Sequence, residues 1–124
     1  RNKIERQIFE RLGFKLKNTA RINILIIDDT PDNLRLLSAT LVQQGYKVRS
    51  AISGKIALDG IKYFVPDLIL LDILMPEMDG YQVCTHLKVN AMTRDIPVIF
   101  ISAVDQVLDK VKAFGLGGAD YITK

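Results

Sequence analysis

One cysteine cannot close a bridge within its own chain, so Cys84 excludes a fold stapled by internal disulfides and fits a reducing cytosol. No apolar run approaches the roughly 18 residues of a membrane span. Residues 1–20 are strewn with charges and lack the apolar centre of a signal peptide. The single histidine, His86, falls mid-helix in the pattern with no partner nearby in sequence, and it reads as a surface or packing residue rather than a catalytic one. No phosphate-loop pattern surrounds Gly117-Gly118, which reads as a turn. Internal repeats and low-complexity segments are missing too. What is left is ordinary globular composition, 48% apolar and 25% charged, and 124 residues suffice for one domain with one sizeable core.

The net charge of +3 is unevenly placed. Residues 1–21 hold seven basic residues against Glu5 and Glu10, which leaves the remainder mildly acidic. A basic chain raises the question of nucleic acid. Here the excess belongs to the head alone, and its basic residues are not interleaved with aromatics as single-strand binding favours. They read as a solvated helix face. A chain that opens on Arg1 rather than Met is expected to be a piece of a longer protein.

From Arg1 to about Lys17 the residues Ile4, Ile8, Phe9 and Leu12 form one helical stripe, and Asn18-Thr19-Ala20 reads as a linker. Strands and helices then alternate. Ile24–Ile27 is a buried strand ending on Asp28-Asp29, and Thr30-Pro31 supplies an N-cap and an N1 proline. Leu34, Leu37, Leu41 and Val42 make a helix face that stops at Gly45. Tyr46–Ala51 alternates apolar and polar, the pattern of a half-exposed or near-edge strand. Ser53 caps a helix expected to run to about Phe64. Leu68–Leu71 is a strand apolar on both faces and ends on Asp72. Asp79 opens a helix carrying Tyr81, Val83, Cys84 and Leu87, with Cys84 a small core residue and Met75 and Met78 packing the preceding loop. Pro97–Ile101 is a fourth strand ending on Ser102, residues near Asp105 open a further helix, and Ala119–Ile122 is a fifth strand ending close to Lys124. This alternation predicts βαβ units, a parallel sheet and right-handed crossovers, hence a doubly wound α/β fold.

Open sheets of this kind bind ligands at the carboxyl ends of their strands. Three of these strands end there in polar residues: Asp28 and Asp29, Asp72, and Ser102, with Lys124 after another. Three carboxylates brought together repel by about 1–4 kcal/mol per pair near a surface and call for a cation. Oxygen-only ligands beside an open edge suit Mg²⁺, with Mn²⁺ as substitute. A hydroxyl and an ammonium opposite them serve the oxygens of a phosphoryl group, and an aspartate beside Mg²⁺ is a known nucleophile for aspartyl phosphate formation. The pattern points to phosphoryl chemistry on Asp72.

With these residues the chain resembles the response-regulator receiver domain of two-component signalling. The motifs are the acidic pair in I-L-I-I-D-D, the block D-I-L-M-P-E-M-D-G, I-S-A after the fourth strand and G-A-D-Y-I-T-K at the end, together spanning residues 22–124. The resemblance implies a flavodoxin-like five-stranded sheet in the order 2-1-3-4-5. It implies Asp72 as phosphoacceptor and Asp29 as a direct Mg²⁺ ligand. Asp28 would bind mainly through water, and the backbone carbonyl of Leu74 completes the set. Ser102 would move to the phosphoryl group, Lys124 would be its counter-charge, and Tyr121 the aromatic switch, while small Ala103 leaves the phosphoryl accessible. The implied partners are a sensor histidine kinase or phosphotransfer domain in a phosphorelay, with a homodimer also allowed. Nucleic acid would be met only through an output domain, no membrane is involved, and the location is cytoplasmic. The family follows its lysine with proline and a fifth helix, whereas this sequence stops at Lys124. The expected layout is therefore residues 1–20 as an amphipathic helix and linker and residues 21–124 as a receiver domain lacking its last helix. The helix stripe either replaces that missing helix or belongs to a linker from an upstream domain.

Three other readings compete. A haloacid-dehalogenase-type phosphatase shares the strand-end Asp, hydroxyl, Lys and Mg²⁺, but needs a second Asp where this chain has Leu74. An FMN carrier needs a hydroxyl-rich phosphate loop after the first strand, where Asp28 and Asp29 would repel phosphate. A receiver-shaped interaction module that is never phosphorylated would have no use for the complete acceptor set. The chain reads as a signalling phosphoacceptor, not an enzyme acting on a separate substrate.

Overall fold

The structure, a computed structural model, describes residues 22–102, 115, 117 and 120–123. Along it run β1 (Asn23–Ile27), α1 (Pro31–Gln43), β2 (Lys47–Ala51), α2 (Gly54–Gly60), β3 (Leu68–Asp72), α3 (Gly80–Val89), β4 (Val98–Ser102) and β5 (Asp120–Thr123). The strands form one parallel sheet in the order β2-β1-β3-β4-β5. The near-continuous apolar runs take the inner places: β3 is buried at all five positions, and β1 at every position after Asn23. The alternating segment lies at the edge as β2, where only Ala51 is buried.

Side chains alternate between the two faces of the sheet. Leu25, Ile27, Ile69, Leu71, Val98 and Phe100 join Ala57 of α2 and Val83, Cys84 and Leu87 of α3 in one core. Ile24, Ile26, Leu68, Leu70, Ile99 and Ile101 join Leu34, Leu37 and Leu41 of α1 in the other. Each of the larger side chains contributes roughly 1.5–3 kcal/mol by leaving water.

Local chemistry sets the helix ends, with some departures from expectation. Asp79 caps α3 through a capping box: its carboxylate accepts from the Gln82 N–H at 2.9 Å while Gln82 Oε1 accepts from the Asp79 N–H at 2.9 Å. Ser53 Oγ accepts from the Ile56 N–H at 3.1 Å and starts α2. Thr30 holds the N-cap position of α1, but its side chain makes no cap hydrogen bond, and Pro31 follows as expected. Val42 is 56% exposed rather than on the apolar face, because it sits about 100° round the helix from Leu41. Helix α2 ends at Gly60 rather than near Phe64. Pro66 holds the residue before it in extended conformation and Gly60 weakens the helix, so Ile61–Tyr63 turn instead. Gly45 takes a left-handed φ of 97°, and its N–H bonds the Val42 carbonyl at 2.9 Å as the chain turns into β2. The fifth strand runs from Asp120 to Thr123, one residue beyond the expected bounds. The helices expected at residues 1–17 and after Asp105 lie outside the described residues.

Candidate functional site

The sheet register brings the acidic residues together. Ile27 of β1 pairs with Leu71 of β3, so the next residue on each strand, Asp28 and Asp72, emerges side by side at the carboxyl edge. Asp29 follows. One oxygen from each of Asp28, Asp29 and Asp72 lies within 4.8 Å of the others. Asp28 and Asp72 are each 3% exposed, and Asp29 is more open to solvent. At such separations each charged pair repels by about 1–4 kcal/mol, and low-dielectric surroundings worsen that for the buried two.

Backbone amides hold the buried carboxylates in place. Asp28 Oδ1 accepts from the Thr30 N–H at 2.9 Å, and Asp28 Oδ2 from the Asn33 side-chain amide at 3.4 Å. Asp72 Oδ1 accepts from the Ile73 N–H at 3.0 Å. The Asp28 N–H bonds the Ala51 carbonyl of β2 at 3.1 Å, tying the acidic turn to the neighbouring strand. An all-oxygen donor set of three carboxylates fits a hard divalent cation such as Mg²⁺, which keeps several of its own waters.

The loop from β3 to α3 walls the site. Met75 is buried in the core and Met78 packs partly against it, as expected of loop residues. Glu77 takes φ 68°, an uncommon conformation for a residue with a side chain, and the Met78 N–H bonds the Pro76 carbonyl at 2.7 Å across it. Gly80 closes the loop, its N–H donating to the Ile73 carbonyl at 2.8 Å. A Cβ on Gly80 would stand 2.2 Å from the Asp72 carbonyl oxygen, so α3 can start this close to β3 only with glycine. Leu74 lies in this loop with its side chain 60% exposed.

Ser102 ends β4 and pairs in register with Thr123, the residue before Lys124, and Tyr121 pairs with Phe100. Strand register thus carries Ser102 to the same edge as the carboxylates; Lys124 itself lies outside the described residues, as does Ala103. His86 is exposed on α3, as a surface histidine would be. Cys84 is fully buried, and burial pushes its thiol pKa up, partly offset by the Lys88 ammonium. Sequence reasoning missed Asn33, Gln82 and the steric demand on Gly80. The D-x-x-Q spacing of Asp79 and Gln82 was a legible signal for the capping box; the other two depend on contacts across the fold.

The family described as "Response regulator receiver domain" matches residues 24–124. Response regulator PleD of Caulobacter vibrioides is 44% identical over 101 residues, 82% of this chain and 22% of that protein. A probable cyclic di-GMP phosphodiesterase of Vibrio cholerae is 42% identical over 109 residues, 88% of this chain and 24% of that protein. The chain thus spans less than a quarter of the length of these two relatives. The crystal structure of the N-terminal domain of a response regulator receiver protein from Methanoculleus marisnigri JR1 superposes with a TM-score of 0.76 at 35% identity, covering 84% of this chain and 85% of the other.

Proposed function

Since the chain belongs to the response-regulator receiver domain family, the phosphoacceptors of two-component signalling, we propose that Asp72 is the residue that takes the phosphoryl group. The observation that carries this reading is the convergence of Asp28, Asp29 and Asp72 at one sheet edge, with Asp72 alone at the end of the central strand β3. In the transfer an Asp72 oxygen forms a bond to phosphorus as the bond from phosphorus to the donor's imidazole nitrogen breaks. The imidazole leaves with a proton.

Asp28, Asp29, Asp72 and the Leu74 carbonyl are the groups that would hold Mg²⁺, or Mn²⁺ in its place. Bound there, the ion would supply positive charge to offset both the carboxylates and the incoming phosphoryl oxygens. The protein's own contribution is orientation. The Ile73 N–H fixes one Asp72 oxygen, and Thr30 and Asn33 fix Asp28, so the acidic groups do not reorganise during transfer. Ser102 and Lys124 would serve the phosphoryl oxygens from the β4 and β5 side, and Tyr121 would follow Ser102 as the switch residue. On this reading residues 21–124 are the receiver and residues 1–20 an amphipathic helix and linker before it. The donor is a histidine kinase or phosphotransfer domain in the cytoplasm, and any nucleic acid is reached through an output domain. Among the described residues no helix is long and apolar enough to cross a membrane.

Incubation with acetyl phosphate and Mg²⁺ tests the assignment by intact mass. The chain is expected to gain one phosphoryl group, and both Asp72→Asn and chelation of Mg²⁺ to abolish the gain. An adduct that survives either change refutes it.

A further inference from the structure

The described helices cover the two sheet faces unequally. On one face α2 and α3 share a core with β1, β3 and β4. On the other, α1 is the one described helix, and it packs chiefly on β1 and β2. A helix is about 10–12 Å across and strands lie about 4.8 Å apart, so one helix shields about two strands. Strand β4 lies two places beyond β1. Even so, Ile99 and Ile101, which point to the α1 side, are only 2% and 1% exposed. Leu68 and Leu70 of β3 on the same side are 3% and 0% exposed.

We propose that the cover over β3 and β4 on this face is residues 1–17 of the same chain, bound as an amphipathic helix. Connection handedness removes the other internal source. From β2 to β3, from β3 to β4 and from β4 to β5 the chain steps the same way along the sheet, so right-handed crossovers put all three connections on the α2–α3 face. The step from β1 to β2 runs the other way and puts α1 opposite. The link from Ala103 to Ala119 therefore belongs to the α2–α3 face, and residues 1–21 are the remaining part of this chain able to reach the α1 face.

Their pattern suits the place. Ile4, Ile8, Phe9 and Leu12 share one stripe, while Arg6, Glu10 and Arg11 occupy other faces. Residues 18–22 span up to about 17 Å when extended, enough to return from a helix over β3 and β4 to the start of β1. The helix then runs antiparallel to the strands, with Leu12 toward their amino ends. Ile8 and Leu12 are about 6 Å apart along a helix and Ile99 and Ile101 about 6.6 Å along a strand, which pairs Leu12 with Ile99 and Ile8 with Ile101. A stripe from a second copy would satisfy the same face, but the short linker makes the tethered one far more concentrated.

Cysteine pairs in the full 124-residue chain, in a Cys84→Ala background, test this directly. Under mild oxidation, Leu12→Cys with Ile99→Cys and Ile8→Cys with Ile101→Cys should each form an intramolecular disulfide. Ile4→Cys with Ile99→Cys should not, since Ile4 lies about 12 Å further along the helix. Disulfide-linked dimers alone, equal linking of the control, or no linking of the matched pairs would each overturn the proposal. A second measurement avoids altering the sheet. Ile8→Asp should lower the urea midpoint by about 1 M, and Arg6→Asp, off the stripe, should leave it in place. An unchanged midpoint for Ile8→Asp also overturns the proposal.

Discussion

Gly80→Ala places one methyl group where the fold has no room for it. The new Cβ would lie 2.2 Å from the Asp72 carbonyl oxygen and 2.9 Å from Ile73 Cα, both backbone atoms that cannot rotate aside. Relief to normal contact requires a shift of about 1 Å at the start of α3, since non-bonded carbons settle near 3.5–4.0 Å. That shift strains the 2.8 Å hydrogen bond from the Gly80 N–H to the Ile73 carbonyl. Overpacking costs about 1–3 kcal/mol, and a lost hydrogen bond about 0.5–1.5 kcal/mol. The better helix propensity of alanine returns up to about 1 kcal/mol. The expected net loss is about 1–3 kcal/mol, read as a lower urea midpoint at unchanged slope. Function should suffer more than stability. Ile73 donates to Asp72 Oδ1, so displacing it misplaces the acceptor, and errors near 1 Å cost up to about a hundredfold in rate. Gly60→Ala is the control: no atom lies within 4 Å of the position its Cβ would take, and it should stabilise by about 0.4–1 kcal/mol. A Gly80→Ala protein that matches the wild type in urea and in phosphorylation rate would refute the reasoning.

Two further outcomes are expected. Ser53→Ala should cost about 1 kcal/mol because it removes the bond to the Ile56 N–H, whereas Thr30→Ala should change stability by less than about 0.5 kcal/mol since that side chain caps nothing; urea titration of both decides, and equal losses would contradict the cap geometry. The Cys84 thiol, with its pKa raised by burial above the ordinary 9.0, favours the protonated form in the folded state. Its contribution to stability is complete below that ordinary value and declines as pH rises from there through the folded-state value. Between pH 8 and pH 10 the wild type should therefore lose more stability than Cys84→Ala, and parallel curves would exclude the effect.

What the sequence alone determined was local. The doubly apolar run at Leu68–Leu71 needed burial on both faces and became the central strand, and the alternation at Tyr46–Ala51 kept β2 at the edge. Asp79 and Ser53 stood where helices begin because a short polar side chain satisfies an amide that the first turn leaves free. Asp28, Asp29 and Asp72 were legible as site residues because charge directly after a buried strand has few purely structural uses. Where periodicity was weak the reading slipped. Val42 looked apolar enough for the core yet turned to solvent, and the pattern after Gly60 continued past the point where Pro66 stopped the helix.

The tertiary structure decided what depends on residues distant in the chain. Asp28 and Asp72 meet because β1 and β3 pair with Ile27 opposite Leu71, and sequence spacing contains no such register. Asn33 reaches Asp28 only once α1 is docked, and Gly80 is indispensable only because α3 begins against the backbone of β3. The near-complete burial of Ile99 and Ile101 on the side away from α2 and α3 likewise became visible only in the assembled sheet. Hydrophobic period and turn chemistry act between neighbours, so a sequence displays them directly. Strand register, close backbone approach and the cover of a sheet face arise between segments tens of residues apart, and only packing the whole chain specifies them.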